Sequence, residues 1–265
     1  MTTGLSSRRR DTGFAIASCA VLAAYNNVSG EHPWRGRWYV PANACATGAA
    51  LSAAAASGLT AADIGLGRDA WLPGRLASGL AAAAAAGWLL IAVVPATRPL
   101  LDDKRITSLK GRAVAYQAAV RIPIGTVAWE EIAFRGVLQA ALRRVMPEPA
   151  AIAVTSGVFG VWHIRPTAAA LRVNGLAGDR GQVVARVAAG VAVTTAGGAL
   201  FSWLRARSGS LTAPVLLHLA TNCVGPVVAW AVAPDRFSQG QPGAAGAAAD
   251  PGRPWSRPGA AGTGA

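Results

Sequence analysis

Long uncharged apolar windows dominate this chain and decide the solvent in which it folds. They lie near 14–30, 38–58, 76–97, 113–145, 149–163, 187–204 and 211–233, and the basic residues stand mainly between them. A helix needs roughly 20 apolar residues to cross the hydrocarbon core of a bilayer. Several windows reach that length outright, while the shorter ones require tilt or flanking side chains that snorkel. Only 14% of the residues are charged, yet the net charge is +13; soluble domains carry about 25% charged residues. A soluble enzyme is therefore disfavoured. A nucleic-acid binder is disfavoured too, because its basic residues would gather on one face or helix, whereas these separate apolar stretches. The expectation is an all-α, polytopic membrane bundle of about seven or eight transmembrane helices enclosing a polar intramembrane cavity. A multi-pass place in a bacterial plasma membrane follows from that reading.

Three regions are expected along the chain. Residues 1–112 hold transmembrane helices without a motif, 113–233 hold the polar motifs described below, and 234–265 form a Pro/Gly/Ala-rich tail that cannot bury enough apolar surface to fold. The Ala-rich stretch Ala42 to Ser57 is the weakest window and the one around Trp88, Leu89, Leu90, Ile91, Val93 and Val94 is firmer. Trp34, Trp38, Tyr39, Trp71 and Trp203 stand near window ends, as an aromatic belt would. Arg8-Arg9-Arg10 before Phe14 to Tyr25 resembles the start of a signal peptide, but an uncleaved first helix with a cytoplasmic amino end fits the arginines better. Ile16-Ala17-Ser18-Cys19 mimics a lipobox with too few apolar residues before it. The loop from Arg98 to Arg112 is also basic and favours the cytoplasm. Three intervening helices place it opposite Arg8 to Arg10, so an early window is miscounted, re-entrant or contrary to the charge rule. Cys19, Cys45 and Cys223 are scattered in apolar contexts and support neither a disulfide framework nor a metal site.

Scarce polar residues inside the apolar windows carry the functional information. Glu130 and Glu131 are adjacent within Trp129-Glu130-Glu131-Ile132-Ala133-Phe134-Arg135-Gly136, and each would cost ~2.5–3.5 kcal/mol against lipid. They must face protein or a watery cavity. Glu131 and Arg135 are spaced to pair along one helical face; Glu130 lies about 100° round an α-helix from Glu131 and has no such local partner. Acids at a helix start beside Pro123 and Gly125 would explain the same residues as a cap. His163 follows Phe159 by one turn at the end of its window, and His218 lies one turn before Asn222 inside the last one. A helix-joining polar pair would account for His218 and Asn222 alone. It accounts poorly for a Glu pair, a His and a His/Asn pair in three separate windows, which meet only in a shared cavity.

Taken in order, Glu130-Glu131-x-x-x-Arg135, Phe159-x-x-x-His163 and His218-x-x-x-Asn222 resemble the signature of the CPBP family of intramembrane proteases, which includes the type II CAAX prenyl endopeptidases. Phe134-Arg135-Gly136 and Gly209-Ser210-Leu211-x-Ala213-Pro214 fit the family's context, and the likeness runs from about Ala113 to Trp230. The resemblance implies an endopeptidase that hydrolyses a peptide bond of a membrane-embedded or lipid-modified peptide or protein, with the bilayer and no nucleic acid as partner. It assigns water activation to Glu130 and His163, oxyanion stabilisation to His218 and Asn222, and supporting roles to Glu131, Arg135 and Phe159. No cofactor is implied by a glutamate mechanism; a zinc version would use Glu130, His163 and His218, though the chain has no His-x-x-x-His zincin pair. A non-catalytic binding or immunity protein, or a proton-relaying transporter, is the alternative class, and no internal repeat supports the transporter.

Overall fold

The computed structural model describes residues 2–29, 35–67 and 74–233. Glu31, His32, Trp34 and Trp71, and the tail from Pro234 for which disorder is expected, lie outside the described residues. Every apolar window is helical: α1 (Thr2–Ser29), α2 (Arg35–Ala56), α3 (Gly74–Val93), α4 (111–143), α5 (Glu148–Trp162), α6 (Ile164–Val173), α7 (Arg180–Ser208) and α8 (Thr212–Ala231). No strand occurs among the described residues. Helix α6 falls in no apolar window, because it is amphipathic rather than apolar: arginines and alanines alternate with Ile164, Leu171 and Val173. Three helices, α3, α7 and α8, are long and apolar enough to cross a membrane.

Polarity runs opposite to that of a soluble protein. Leu90, Val93 and Val193 are 64%, 71% and 71% exposed, while Glu131 and Arg135 are fully buried and Glu130 and His218 nearly so. Apolar side chains that face outward and ionisable ones that face inward are what a lipid solvent selects.

Contacts between the loops order the bundle. At one end Arg144 donates to the Ser57 and Gly58 carbonyls at 2.9 and 2.6 Å, Arg205 donates to the Asp63 carbonyl at 2.7 Å, and the Leu211 amide donates to the Gly65 carbonyl at 3.0 Å. At the other end Asn26 and Asn27 donate to the Trp162 and Val161 carbonyls, the Lys104 amide donates to Asn174, and Trp230 donates to the Leu109 carbonyl. The chain thus passes up and down through α1, α2, α3, α4, α5, α7 and α8. Arg8 to Arg10 stand at the first end and the basic 98–112 loop at the second. All three early windows are helices, so the surviving explanation of the topology conflict is the third one: both ends are basic, and the charge rule alone does not orient this bundle.

Helix α4 is the axis. From Val127 to Leu142 nearly every residue is buried, with α2, α5, α7 and α8 against it. Two features loosen it. Pro123 removes a backbone donor, and the turns over Gln117–Ala128 and Glu131–Leu138 are wide, of the i→i+5 kind, which is rare and concentrates at functional sites. The chain compensates from α2, where buried Asn43 donates to the Gly125 carbonyl at 2.6 Å. Tyr39 lies flat against Gly125, where a Cβ would come within 3.0 Å of its ring. Helices α5 and α7 pack through glycine in the same way: a Cβ on Gly160 would strike Thr195 and lie 3.0 Å from the Val191 carbonyl. Small residues at such a contact let two backbones approach without a hydrophobic drive.

Candidate active site

Helix α5 is 15 residues long, about 22 Å at ~1.5 Å per residue, and so falls short of a ~30 Å hydrocarbon core. It breaks at His163, whose φ of −93° and ψ of 3° lie in the sparsely populated bridge region. The chain then turns into α6. His163 is half-buried at this break.

On α4 the two glutamates converge. In the wide turn after Glu130 each residue rotates through less than the 100° of an α-helix, so neighbours share a face more closely. Glu130, without a partner on its own helical face, thus approaches the same imidazole as Glu131. His218 Nδ1 is 2.7 Å from Glu131 Oε1, and its Nε2 is 3.9 Å from Glu130 Oε2. Asn222 Nδ2 is 3.0 Å from His218 Nε2, and Thr221 donates to Asn222 Oδ1 at 3.2 Å, which turns the amide's NH2 toward the ring. One tautomer satisfies both contacts: Nδ1–H donates to Glu131 and Nε2 accepts from Asn222.

Arg135 pairs with Glu131 at 3.2 Å and donates to the Gly198 carbonyl at 3.3 Å. Its guanidinium carbon lies 4.1 Å from the Phe159 ring centroid and 5.1 Å from that of Phe201. Phe201 also stacks on His218, centroids 4.9 Å apart at 25°, so one ring links the arginine to the imidazole. The sequence offers no sign of Phe201, which sits in an ordinary apolar run of α7. Gly198 makes room for this sandwich, since a Cβ there would lie 3.1 Å from Phe159 and 3.3 Å from Arg135.

Glu130 accepts a hydrogen bond from Trp162 Nε1 at 3.3 Å through Oε1, and its buried Oε2 accepts none. His163 Nδ1 lies 2.7 Å from the Phe159 carbonyl, to which it can only donate, so its Nε2 carries the lone pair. No hydrogen bond joins His163 to Glu130 among the described residues. The structure thus gathers Glu130, Glu131, Arg135, His218 and Asn222 into one network, with Phe159 as its aromatic wall. His163 stands beside Trp162 at the edge. Trp162, adjacent to a motif histidine, is the partner that sequence reasoning missed although an indole donor in an apolar window was a signal.

His218 spends both ring nitrogens on Glu131 and Asn222, and no three His, Cys, Asp or Glu side chains converge as metal ligands among the described residues.

An acid pair, a buried histidine with an oriented amide, and a second histidine at a helix break thus stand close together along α4, α5 and α8. Residues 113–224, which hold every member of the network, match the family model described as Type II CAAX prenyl endopeptidase Rce1-like. The recognition made from the motifs and the family match thus coincide, and the match supports endopeptidase chemistry in a membrane setting. No curated protein and no solved structure matches the chain.

Proposed function

We propose that the protein is an intramembrane glutamic endopeptidase acting on a membrane-embedded or lipid-modified peptide or protein, in which Glu130 activates water. The observation that carries this reading is the asymmetry of the carboxylates. Glu131 shares its Oε1 between Arg135 and His218, whereas Glu130 has no cation beside it and accepts only from Trp162; each keeps a buried Oε2 without a partner, and that of Glu130 lies 3.9 Å from His218 Nε2. A general base must have an oxygen free for the proton it takes. Water bound there gives its proton to Glu130, and His163, whose Nε2 keeps its lone pair, is the second acceptor in this reading. Attack on the carbonyl carbon places negative charge on its oxygen. The second N–H of Asn222 is the donor available to meet that charge in a site closed to bulk water, and His218, itself anchored by Glu131, supports it by accepting the amide's first N–H. Glu130 then returns the proton to the leaving amine. Arg135 and Phe159 hold Glu131 and do not touch the reacting atoms.

The donor geometry favours the metal-free form over a zinc enzyme, because His218 Nε2 and Nδ1 are both engaged. Active purified protein that contains one zinc per chain and regains lost activity only when zinc returns would overturn this. A non-catalytic membrane binder or a transporter gives a different result in the direct test, cleavage of membrane peptides by Glu130→Ala beside Arg8→Ala. The proposal expects loss in the first and wild-type cleavage in the second. Equal cleavage by both removes the assignment of Glu130, and no cleavage by any form favours binding or transport.

A further inference from the structure

Helix α1 carries no motif and lies outside residues 113–224 that match the family, yet its last turn is built into the helix break beside the active site. In an unbroken helix the Arg165 amide would donate to the Val161 carbonyl, four residues back. Here the side chain of Asn27 stands in that bond. The Arg165 amide donates to Asn27 Oδ1 at 3.1 Å, and the Val161 carbonyl accepts from Asn27 Nδ2 at 2.8 Å. The next bond of the ladder is missing for a covalent reason: Pro166 has no N–H to offer the Trp162 carbonyl. Asn26 Nδ2 takes that place at 3.2 Å. The Asn27 Nδ2 group also donates to the Ala23 carbonyl at 2.8 Å, and Arg165 Nη1 donates to the Asn27 carbonyl at 2.9 Å. Asn27 is therefore tied to its own helix and to both sides of the break.

A side chain inserted into the backbone ladder is one of the few causes of a sharp helix break. Pro166 frees one carbonyl, but two consecutive asparagines of α1 meet two consecutive carbonyls of α5, and one of them also receives the first displaced amide of α6. What they hold is the junction residue His163 and, just before it, Trp162, whose indole donates to Glu130 at 3.3 Å. Tyr25, two residues before Asn27, lies flat on that indole, with centroids 5.6 Å apart at 5°. We infer that Asn27, with Asn26 beside it, is a positioning residue of the active site: it makes the break at His163 and so sets where His163 and the indole donor of Glu130 stand. The catalytic consequence rests on the peptidase reading above, whereas the making of the break does not. Asn27 touches no reacting atom and acts through α5.

Two variants separate positioning from stability. Asn27→Ala takes the inserted amide away, and adding Pro166→Ala returns a donor to the Trp162 carbonyl and lets an ordinary helix run on through His163. The full chain, labelled with 5-fluorotryptophan and purified in detergent, gives a fluorine resonance for Trp162, identified among the nine tryptophans by its loss in Trp162→Phe. In Asn27→Ala that resonance is expected to move, and kcat on membrane peptides to fall by up to about a hundredfold at unchanged KM, the cost of a displacement of about 1 Å. In Asn27→Ala/Pro166→Ala the unfolding midpoint is expected to recover while kcat stays low. Asp63→Asn, at the other end of the bundle, controls for lost stability alone and is expected to keep the wild-type kcat. A Trp162 resonance unmoved by Asn27→Ala overturns the inference, and so does an unchanged kcat or a loss confined to KM. A double variant that regains kcat along with its stability overturns it as well, and that result is decisive even where Asn27→Ala alone fails to fold. A wild-type protein that cleaves no membrane peptide, while Asn27→Ala still moves the resonance, leaves the break to Asn27 and removes the peptidase reading.

Discussion

Replacing Arg135 by leucine removes the guanidinium from a buried acid cluster. Arg135 and Glu131 are each 0% exposed, Glu130 is 5% exposed, and the Arg135–Glu131 contact is 3.2 Å. Breaking such a pair from one side leaves a buried charge uncompensated and costs about 3–5 kcal/mol. The Gly198 carbonyl loses its donor as well, and the stacking against Phe159 and Phe201 goes with it. At ~2–4 °C per kcal/mol for a chain of this size, the midpoint of thermal unfolding in detergent, followed by tryptophan fluorescence, is expected to fall by roughly 6–20 °C. The double variant Arg135→Leu/Glu131→Leu removes both charges and is expected to recover part of that loss, because the desolvation penalty disappears with them. A single variant within 2 °C of wild type, or a double variant no better than the single, would refute the view that Arg135 acts by compensating buried carboxylates.

Other consequences are read by simpler measurements. His218→Ala and Asn222→Ala are each expected to lower kcat by about 10²–10³-fold, the range for loss of one oxyanion donor, and the double variant to lose little more than the worse single one, since the amide and the ring are bonded to each other; multiplicative losses would contradict a shared unit. Gly198→Val places branched carbon where a Cβ already comes within 3.1 Å of Phe159, and overpacking of about 1–3 kcal/mol should appear as a lower unfolding midpoint, with Gly197→Val, whose Cβ meets nothing, as the tolerant control. In the loop after α2, the Asp63 carboxyl is held below the usual range first by the Thr60 amide, then by the Thr60 hydroxyl, and with help from Arg144. A depressed carboxyl stabilises the fold above its unfolded pKa of about 3.9 and ceases to as pH falls through the lower folded value. Asp63→Asn should therefore lower the unfolding midpoint at pH 7 and make progressively less difference on acidification, and a gap that is constant with pH would remove the electrostatic account.

Which parts of this were legible in the sequence follows from the physics of each. Windows of apolar residues translate into helices because lipid leaves the backbone no other partner, so α2 to α5 and α8 could be placed within a few residues, whereas α1 and α7 start well before their windows. Helix α6 could not, since its amphipathic pattern lies in a stretch with three charge-bearing or polar positions. The pairing of Glu131 with Arg135 obeys local helical spacing and was readable. The convergence of Glu130 on the same histidine was not, because it depends on wide turns that no residue type announces. Trp162, Phe201 and Gly198 contribute through contacts between helices far apart in sequence, and short motifs carry no record of those. The basic residues told of a membrane but not of its sidedness, since arginines crowd both ends of the bundle.

The central claim, that Glu130 is the base of a membrane peptidase, meets its most direct test in cells. Membrane-associated peptides and protein carboxyl termini are compared by mass spectrometry between cells that contain the wild-type protein and cells that contain Glu130→Gln at the same level. The account predicts truncated products present with the wild type and missing with the variant, with their uncut precursors accumulating. Identical products in the two cell populations would contradict it.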